Sequence, residues 1–430
     1  MKNIIRNIDG PTRRAFMRNV AMSAFGVSVM SQMGERLAFG APTTAATAGK
    51  AKSVIYIYLN GGMSHIDTFD PKPGQDTAGE FKAIGTNVDG VQFSEHLSKL
   101  AKQMDKMTVI RSMTSSEGAH ERSRYLMHTS YDLIPTIKHA SVGAWLARTT
   151  ERVNKNIPPN ILIGNGGNFT TSGFLDKIYD PLVIGDPKAG LQNVKLPPNV
   201  TEREFAHRRG LAAKLDGAFR DKYKHANVKA YTDYYAQAVR MMQSEDVKAF
   251  DINKESQTVR DEYGESRFAQ GCLLARRLVE TGVRFVEITD NGWDTHQDNF
   301  ETLEEKLPVL DRGLSALLSD LQRRGLLETT LVVLTTEFGR TPKVNGRAGR
   351  DHYPRVFSAM MAGGGIRGGR IHGGSDAKGT AIKNNAVNPA DFNATIAYAM
   401  GVSHKTKVIS KIGRPFALAN EGKPVTELFA

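Results

Sequence analysis

The sequence predicts an α/β domain with a mostly parallel central sheet and helices on both faces. Two patterns predict it. Short β-branched and aromatic runs alternate with longer segments of helical spacing, the order that βα units produce. Polar clusters rich in His, Asp, Glu and Arg follow several of those runs directly, and the C-terminal ends of parallel strands are where such folds carry their sites.

The first 40 residues read as a targeting segment. Thr12-Arg13-Arg14-Ala15-Phe16-Met17-Arg18 matches the twin-arginine pattern, an uncharged stretch runs from Asn19 to Gly34, and Ala38-Phe39-Gly40 offers small residues for cleavage. The uncharged stretch is too short and too polar to span about 30 Å of hydrocarbon permanently. Export of an already folded chain, through the twin-arginine translocation machinery to the periplasm or beyond, is therefore expected. Residues 41–52 read as a small-residue linker.

Ser53–Leu59 (SVIYIYL) is a strand run closed by Asn60-Gly61-Gly62. A helix over 95–106, a strand over Met107–Arg111, a helix over 138–150 and a strand over Asn160–Gly164 follow. Residues 200–282 form a helical segment, either an inserted cap or a layer on the sheet, with helices at 201–222, 230–249 and 261–281. The alternation resumes with a strand over Val283–Thr289, a helix over 299–325 interrupted by Pro308, and strands over Leu331–Thr336 and Val356–Ala362. Asn388-Pro389 opens a last helix through Met400, a cap followed by proline at the first helical position.

The single cysteine, Cys272, lies in an apolar helical run. One cysteine gives no intramolecular disulfide, so stability must come from a core. Residues 1–40 contribute +4 to the net charge of +12, leaving +8 after cleavage. No Lys/Arg run is interleaved with aromatics as nucleic-acid binding would need, and the residual charge favours anionic substrates.

Four loops after predicted strands carry the chemistry: Asn60 to Asp67 with Ser64 and His65; Ser115 to Arg124 with His120; Asp290 to His296 with Asp294; and Glu337 to Arg340, continuing to Arg350-Asp351-His352. Parallel strands bring these loops to one rim. Asp294 and His296 are two residues apart and project together from an extended segment. With His352 as third ligand they form a set that suits Zn, Mn or Fe and leaves positions for water and substrate. Arg122, Arg124, Arg340 and Arg350 are candidates for gripping two oxygens of an anion, Arg124 first. The glycine run at 362–369 lacks the GK[ST] ending of a phosphate cradle and reads as a turn.

Residues 53–430 resemble a twin-arginine-exported family of unassigned function within the alkaline phosphatase and sulfatase superfamily. The motifs are NGGMSHIDTFDPKPG at 60–74, GAHERSRYLMHTS at 118–130, GWDTHQDN at 292–299, TTEFGRTP at 335–342, and GRDHYP with AGGGIRGG at 349–369. The resemblance implies a rim site for divalent metal (Zn, Mn or Ca), with two ions in most members. Asn60 and Glu337-Phe338 then stand where an Asp and an Asp-His pair usually ligate, while Asp294, His296 and His352 match the other site. One intact and one rebuilt site are expected, with Ser64, His65 or Asp67 as repairing groups. The resemblance also puts His120 at the nucleophile position, as nucleophile, metal ligand or general acid/base. The implied function is an exported hydrolase of phosphate or sulfate esters acting on an anionic small molecule or glycan. The alternative is a binding or assembly protein that keeps the fold.

Overall fold

A computed structural model of the protein describes residues 49–192, 199–222 and 236–430. The twin-arginine segment, most of the linker, and part of the helix expected over 230–249 lie outside the described residues. The chain divides into Met1–Thr43 and Thr44–Ala430; the following concerns the second unit.

Its centre is an eight-stranded sheet. In chain order the strands are β1 (Ser53–Asn60), β2 (Met107–Met113), β3 (Asn160–Ile163), β4 (Leu182–Ile184), β5 (Phe285–Asn291), β6 (Thr330–Thr335), β7 (Phe357–Ala362) and β8 (Arg370–His372). Across the sheet they run β8-β2-β7-β6-β1-β5-β3-β4. Every ladder is parallel except the two made by β7, which pairs antiparallel with β2 and with β6. The expected fold class is therefore the observed one. Edge strands β4 and β8 escaped the sequence reading because three residues give too short a run to distinguish from loop.

The continuous apolar run of β1 is explained by burial on both faces. Ile55, Ile57 and Leu59 face one core with α5 (Arg267–Glu280) and α6 (Asn299–Arg323), supplied by residues such as Leu274, Leu307 and Leu314. Val54, Tyr56 and Tyr58 face the other, with α2 (Val142–Thr149), α7 (Pro389–Ala399) and the residues Trp145, Phe392 and Ile396. The cap of α7 is as expected, Asn388 Oδ1 accepting from the Asp391 amide at 2.9 Å. Helix α1 (His120–Thr129) follows β2, and α3 (Glu202–Lys222) and α4 (Gln257–Tyr263) complete the helices used below.

Some boundaries differ. The expected helix over 95–106 is three short turns, one held by Asp311, whose carboxylate accepts the amides of Lys99 and Leu100. The helix expected over 261–281 is two, broken at Gly264 with φ +98°. The helix at 299–323 continues through Pro308 instead of stopping there, its apolar face packed along the sheet outweighing the lost hydrogen bond. Ala249, Phe250, Ile252 and Tyr263 enter the same core as α5, so this part of the helical segment is a layer on the sheet.

Candidate metal centre

Strands β2, β6, β1 and β5 end on one rim, and the loops after them carry His120, Glu337, Gly61 and Asp294 respectively. The reversed direction of β7 completes the set. Its incoming segment starts from the same rim, where His352 pairs with Arg340 and Tyr353 with Gly339 in a two-residue antiparallel ladder. The loop between those pieces is laced to the segment after β5: the Arg350 amide donates to Thr295 O at 2.9 Å, and Asn345 Nδ2 to His296 O at 3.0 Å. Gly61 (φ +133°) allows the turn out of β1, and a Cβ there would stand 2.4 Å from the Asp294 amide nitrogen.

Three imidazoles converge on one carboxylate. Nε2 of His120 lies 3.2 Å from Asp294 Oδ2, and Nε2 of His296 and of His352 lie 3.2 and 3.3 Å from Asp294 Oδ1. The His296 and His352 Nε2 atoms are 2.9 Å apart. Among the described residues, ligand atoms of His120, Asp294 and His352 form a set lying within 4.8 Å of one another. The structure thus brings together Asp294, His296 and His352 and adds His120.

Each ring is held from behind by an acceptor. Nδ1 of His120 faces Glu337 Oε1 at 2.9 Å, that of His296 faces Asp351 Oδ1 at 2.7 Å, and that of His352 faces Gly118 O at 2.8 Å. Carbonyl and carboxylate oxygens only accept, so each Nδ1 carries a proton, and in the neutral ring each Nε2 then presents a lone pair to the centre. Two lone pairs at 2.9 Å repel unless a cation lies with them, and the buried His120 Nε2 has no hydrogen-bond partner. Such backing of metal-facing imidazoles by carboxylates and carbonyls is how metal sites fix ring orientation. The donor set therefore fits a divalent ion.

Electrostatics keep the carboxylates charged. Burial alone would raise the Asp294 carboxyl, but the Arg340 guanidinium, donating to Oδ1 at 2.5 Å, and the nearby His120 and His296 hold it at about 2. Burial likewise opposes ionisation of Glu337, yet hydrogen bonds from His120 and Gly61 and the charge of Arg124 keep it below the ordinary carboxylate range. Burial, with His120 and Arg340 close by, lowers the pKa of His352, against the opposing hydrogen bond to Gly118. Phe338, where the resemblance implied a lost imidazole, packs its ring 5.0 Å from that of His120 and 4.5 Å from that of His352, walling one side of the centre. The Asp294 side chain stays 45% exposed, so the centre is open to ligands on that side.

Other expected site residues lie elsewhere. Asp67 is fully engaged: Arg350 donates to it twice at 2.7 and 2.9 Å, Ser64 Oγ at 2.6 Å and Asn299 Nδ2 at 3.0 Å. His65 is buried with Nε2 on Gly379 O at 3.0 Å. These three groups turn inward beneath the rim, which corrects the expectation that Ser64 is catalytic or that Ser64, His65 or Asp67 rebuilds a metal site. Asn60 donates through Nδ2 to Asn291 Oδ1 at 2.7 Å. Arg340 and Arg350 are wholly buried and donate to backbone carbonyls as well as to Asp294 and Asp67, which removes them as anion grips. Arg122 is exposed beside Glu117. Arg124, one helical turn after His120 on the same face of α1, places Nε 3.4 Å from Glu337 Oε1. Cys272 is buried and its thiol is pushed up by burial, as expected of a small core hydrophobe.

Fold and site together define an α/β protein with a histidine-rich centre, suited to a divalent cation, on the C-terminal rim of its sheet. Over residues 51–429 the sequence matches the family described as "Protein of unknown function (DUF1501)", and the chain belongs to that family. No curated protein matches it. Among solved structures it is similar to the lipoteichoic acid synthase LtaP from Listeria monocytogenes, at 10% identity and TM-score 0.42 over 94% of this chain and 81% of the other. It is also similar to the PsFucS1 sulfatase from Pseudoalteromonas sp., at 15% identity and TM-score 0.38 over 86% and 73%. A third is a protein in the alkaline phosphatase superfamily from Vibrio parahaemolyticus, at 11% identity and TM-score 0.39 over 90% and 72%.

Proposed function

We propose that this protein is an exported, metal-dependent hydrolase of phosphate or sulfate esters, or a transferase of the same groups, with Asp294, His296, His352 and His120 holding a divalent ion. The observation that carries the reading is the convergence of three back-anchored imidazoles on one open carboxylate. The motifs shared with the alkaline phosphatase and sulfatase superfamily support it.

A divalent ion bound there supplies Lewis acidity to an ester oxygen or lowers the pKa of a water. The chain's own groups do the rest. Arg340 holds Asp294 in its charged form, Asp351 and the Gly118 carbonyl fix the His296 and His352 rings, and Phe338 excludes water behind them. Arg124, 27% exposed at the rim, offers a planar fork to a substrate oxygen pair. His120 has both nitrogens engaged in this arrangement, so it is a ligand rather than the nucleophile, and Ser64 is buried on Asp67. Water is then the attacking group.

The test is turnover of aryl phosphates and aryl sulfates by purified protein with Zn, Mn or Ca, beside His296→Ala. Metal-dependent turnover that falls at least a hundredfold in the variant is expected; equal rates in both, or none with any ion, sinks the reading. The Arg340–Asp294 contact favours a second reading, in which the guanidinium already neutralises the carboxylate and the protein binds an anionic partner without turnover. Purified protein that is metal-free and inactive would favour it.

A further inference from the structure

Resting on that metal-centre reading, we infer that the chain holds one ion rather than two, and that Glu337 and Arg124 occupy the ground of the second. Glu337 acts as a positioning residue for His120, and the Arg124 guanidinium is the fixed second positive charge that a substrate anion meets.

The inference stands on how the carboxylate oxygens beside the centre are engaged. A carboxylate has about four lone-pair sites. Glu337 Oε2 accepts the Tyr58 hydroxyl at 3.1 Å; Thr336 Oγ1 lies 3.2 Å from it but gives its hydrogen to Leu59 O at 2.7 Å. Its Oε1 accepts the Gly61 amide at 2.9 Å, His120 Nδ1–H at 2.9 Å and Arg124 Nε–H at 3.4 Å. Its side chain is 0% exposed and enclosed by these four donors, so an ion could reach it only by displacing them. Asp67 is filled by Arg350, Ser64 and Asn299. Asn60 donates through Nδ2 to Asn291, and its buried Oδ1 has no hydrogen-bond partner, but a single neutral amide oxygen is a poor holder of a divalent ion. An ion beside Glu337 would have to strip these donors while standing against a guanidinium, where like charges in a poorly solvated site repel strongly.

The same bonds give Glu337 a different role. By accepting Nδ1–H it holds His120 in the tautomer whose bare Nε2 points at Asp294, and a carboxylate behind an imidazole raises its basicity as a ligand. His120 and Arg124 sit on successive turns of α1, and both reach the same oxygen, so one buried carboxylate sets the position of a metal ligand and of a substrate-facing cation. Among the described residues the terminal nitrogens of Arg124 have no hydrogen-bond partner. They are free to donate to an oxygen of a phosphate or sulfate group held at the ion.

The experiment loads the full purified protein with excess Zn or Co, removes unbound ion, counts metal per chain, and follows the visible spectrum of the Co form. One ion per chain is expected in wild type and, at saturation, in Glu337→Gln, whose affinity for the ion falls about tenfold to a hundredfold. Arg124→Gln, at a partly exposed position that folding tolerates, should keep one ion with unchanged affinity and an unchanged Co spectrum. Its binding of inorganic phosphate to the loaded protein should weaken about tenfold or more. Two ions per chain in wild type, or phosphate binding unaffected by Arg124→Gln, overturns the inference while leaving the metal-centre reading in place. No ion in wild type overturns both.

Discussion

Gly349 lies so close to the backbone of His296 that an added Cβ would stand 2.0 Å from its carbonyl oxygen. Neither partner is a side-chain tip that can swing away. Gly349→Ala should therefore push the 345–350 loop off His296, lowering stability by about 1–3 kcal/mol in urea unfolding and weakening metal binding together with it. The Arg350–Asp67 pair makes a second residue-scale case, since both side chains are 0% exposed. Asp67→Asn leaves a guanidinium buried without its counter-charge and should cost about 3–5 kcal/mol by denaturant titration, with the ions bound per chain unchanged. Little of this was legible in the sequence. Arginines at 340 and 350 stand in motifs rich in glycine and acid, the composition of an anion site. Only the fold shows that their forks reach carbonyls and carboxylates as far as 283 positions away. Asp294, His296 and His352 were legible because a DxH spacing on an extended segment and a histidine after an acid are local patterns. For His120 the resemblance left nucleophile, metal ligand and general acid/base open, because its placement depends on α1 starting at that residue and aiming its first turn at β5's loop.

At the scale of elements, α5 and α6 are tied by a buried charge as well as by leucines. Arg276, with a side chain 0% exposed, forms ion pairs through Nε with Asp320 at 2.8 Å and through Nη2 with Glu255 at 2.9 Å, and donates from Nη1 to Glu280 at 2.6 Å. Arg276→Met keeps the aliphatic volume but removes one partner of Asp320, which is 2% exposed and keeps Arg324 at 2.8 Å and the Tyr263 hydroxyl at 3.2 Å. A loss of about 1.5–3 kcal/mol is expected, measured as a shift in the urea midpoint. The strands of this layer were readable because residues buried on two faces make continuous apolar runs. The breaks in the helices were less so: Gly264 and Pro308 carry opposite outcomes, a break and a continuation, and what separates them is the packing of α6 along the sheet rather than any local signal.

For the whole molecule, acid sensitivity has an identifiable source. His139 is stacked on Tyr131 at 4.2 Å, edge-on to Phe416 at 4.9 Å, and takes the Tyr125 hydroxyl on Nδ1 at 2.9 Å. Burial lowers its pKa to about 4, against a smaller opposing pull from Asp132. Below its unfolded value near 6.5 the unfolded chain binds a proton that the folded chain refuses. Stability should fall as pH drops from about 6.5 to about 4, by at most about 3 kcal/mol from this group, and His139→Gln should flatten the urea midpoint across that window. Export belongs at this scale too. Exchanging Arg13 and Arg14 for lysine should retain the protein in the cytoplasm on cell fractionation, and unchanged export would refute the twin-arginine proposal. Among the described residues no helix is long and apolar enough to cross a membrane.

The reversed β7 has a consequence for synthesis. His352 reaches the rim only because the strand after it runs against its neighbours, and the carbonyl that steadies its ring, Gly118 O, was translated 234 positions earlier. A nascent chain still short of that strand has not yet brought His352 to the rim, so under the metal-centre proposal it holds an ion less tightly than the finished domain. Under the twin-arginine proposal, a loaded centre would then mark a chain whose two halves have met before it reaches a membrane carrier.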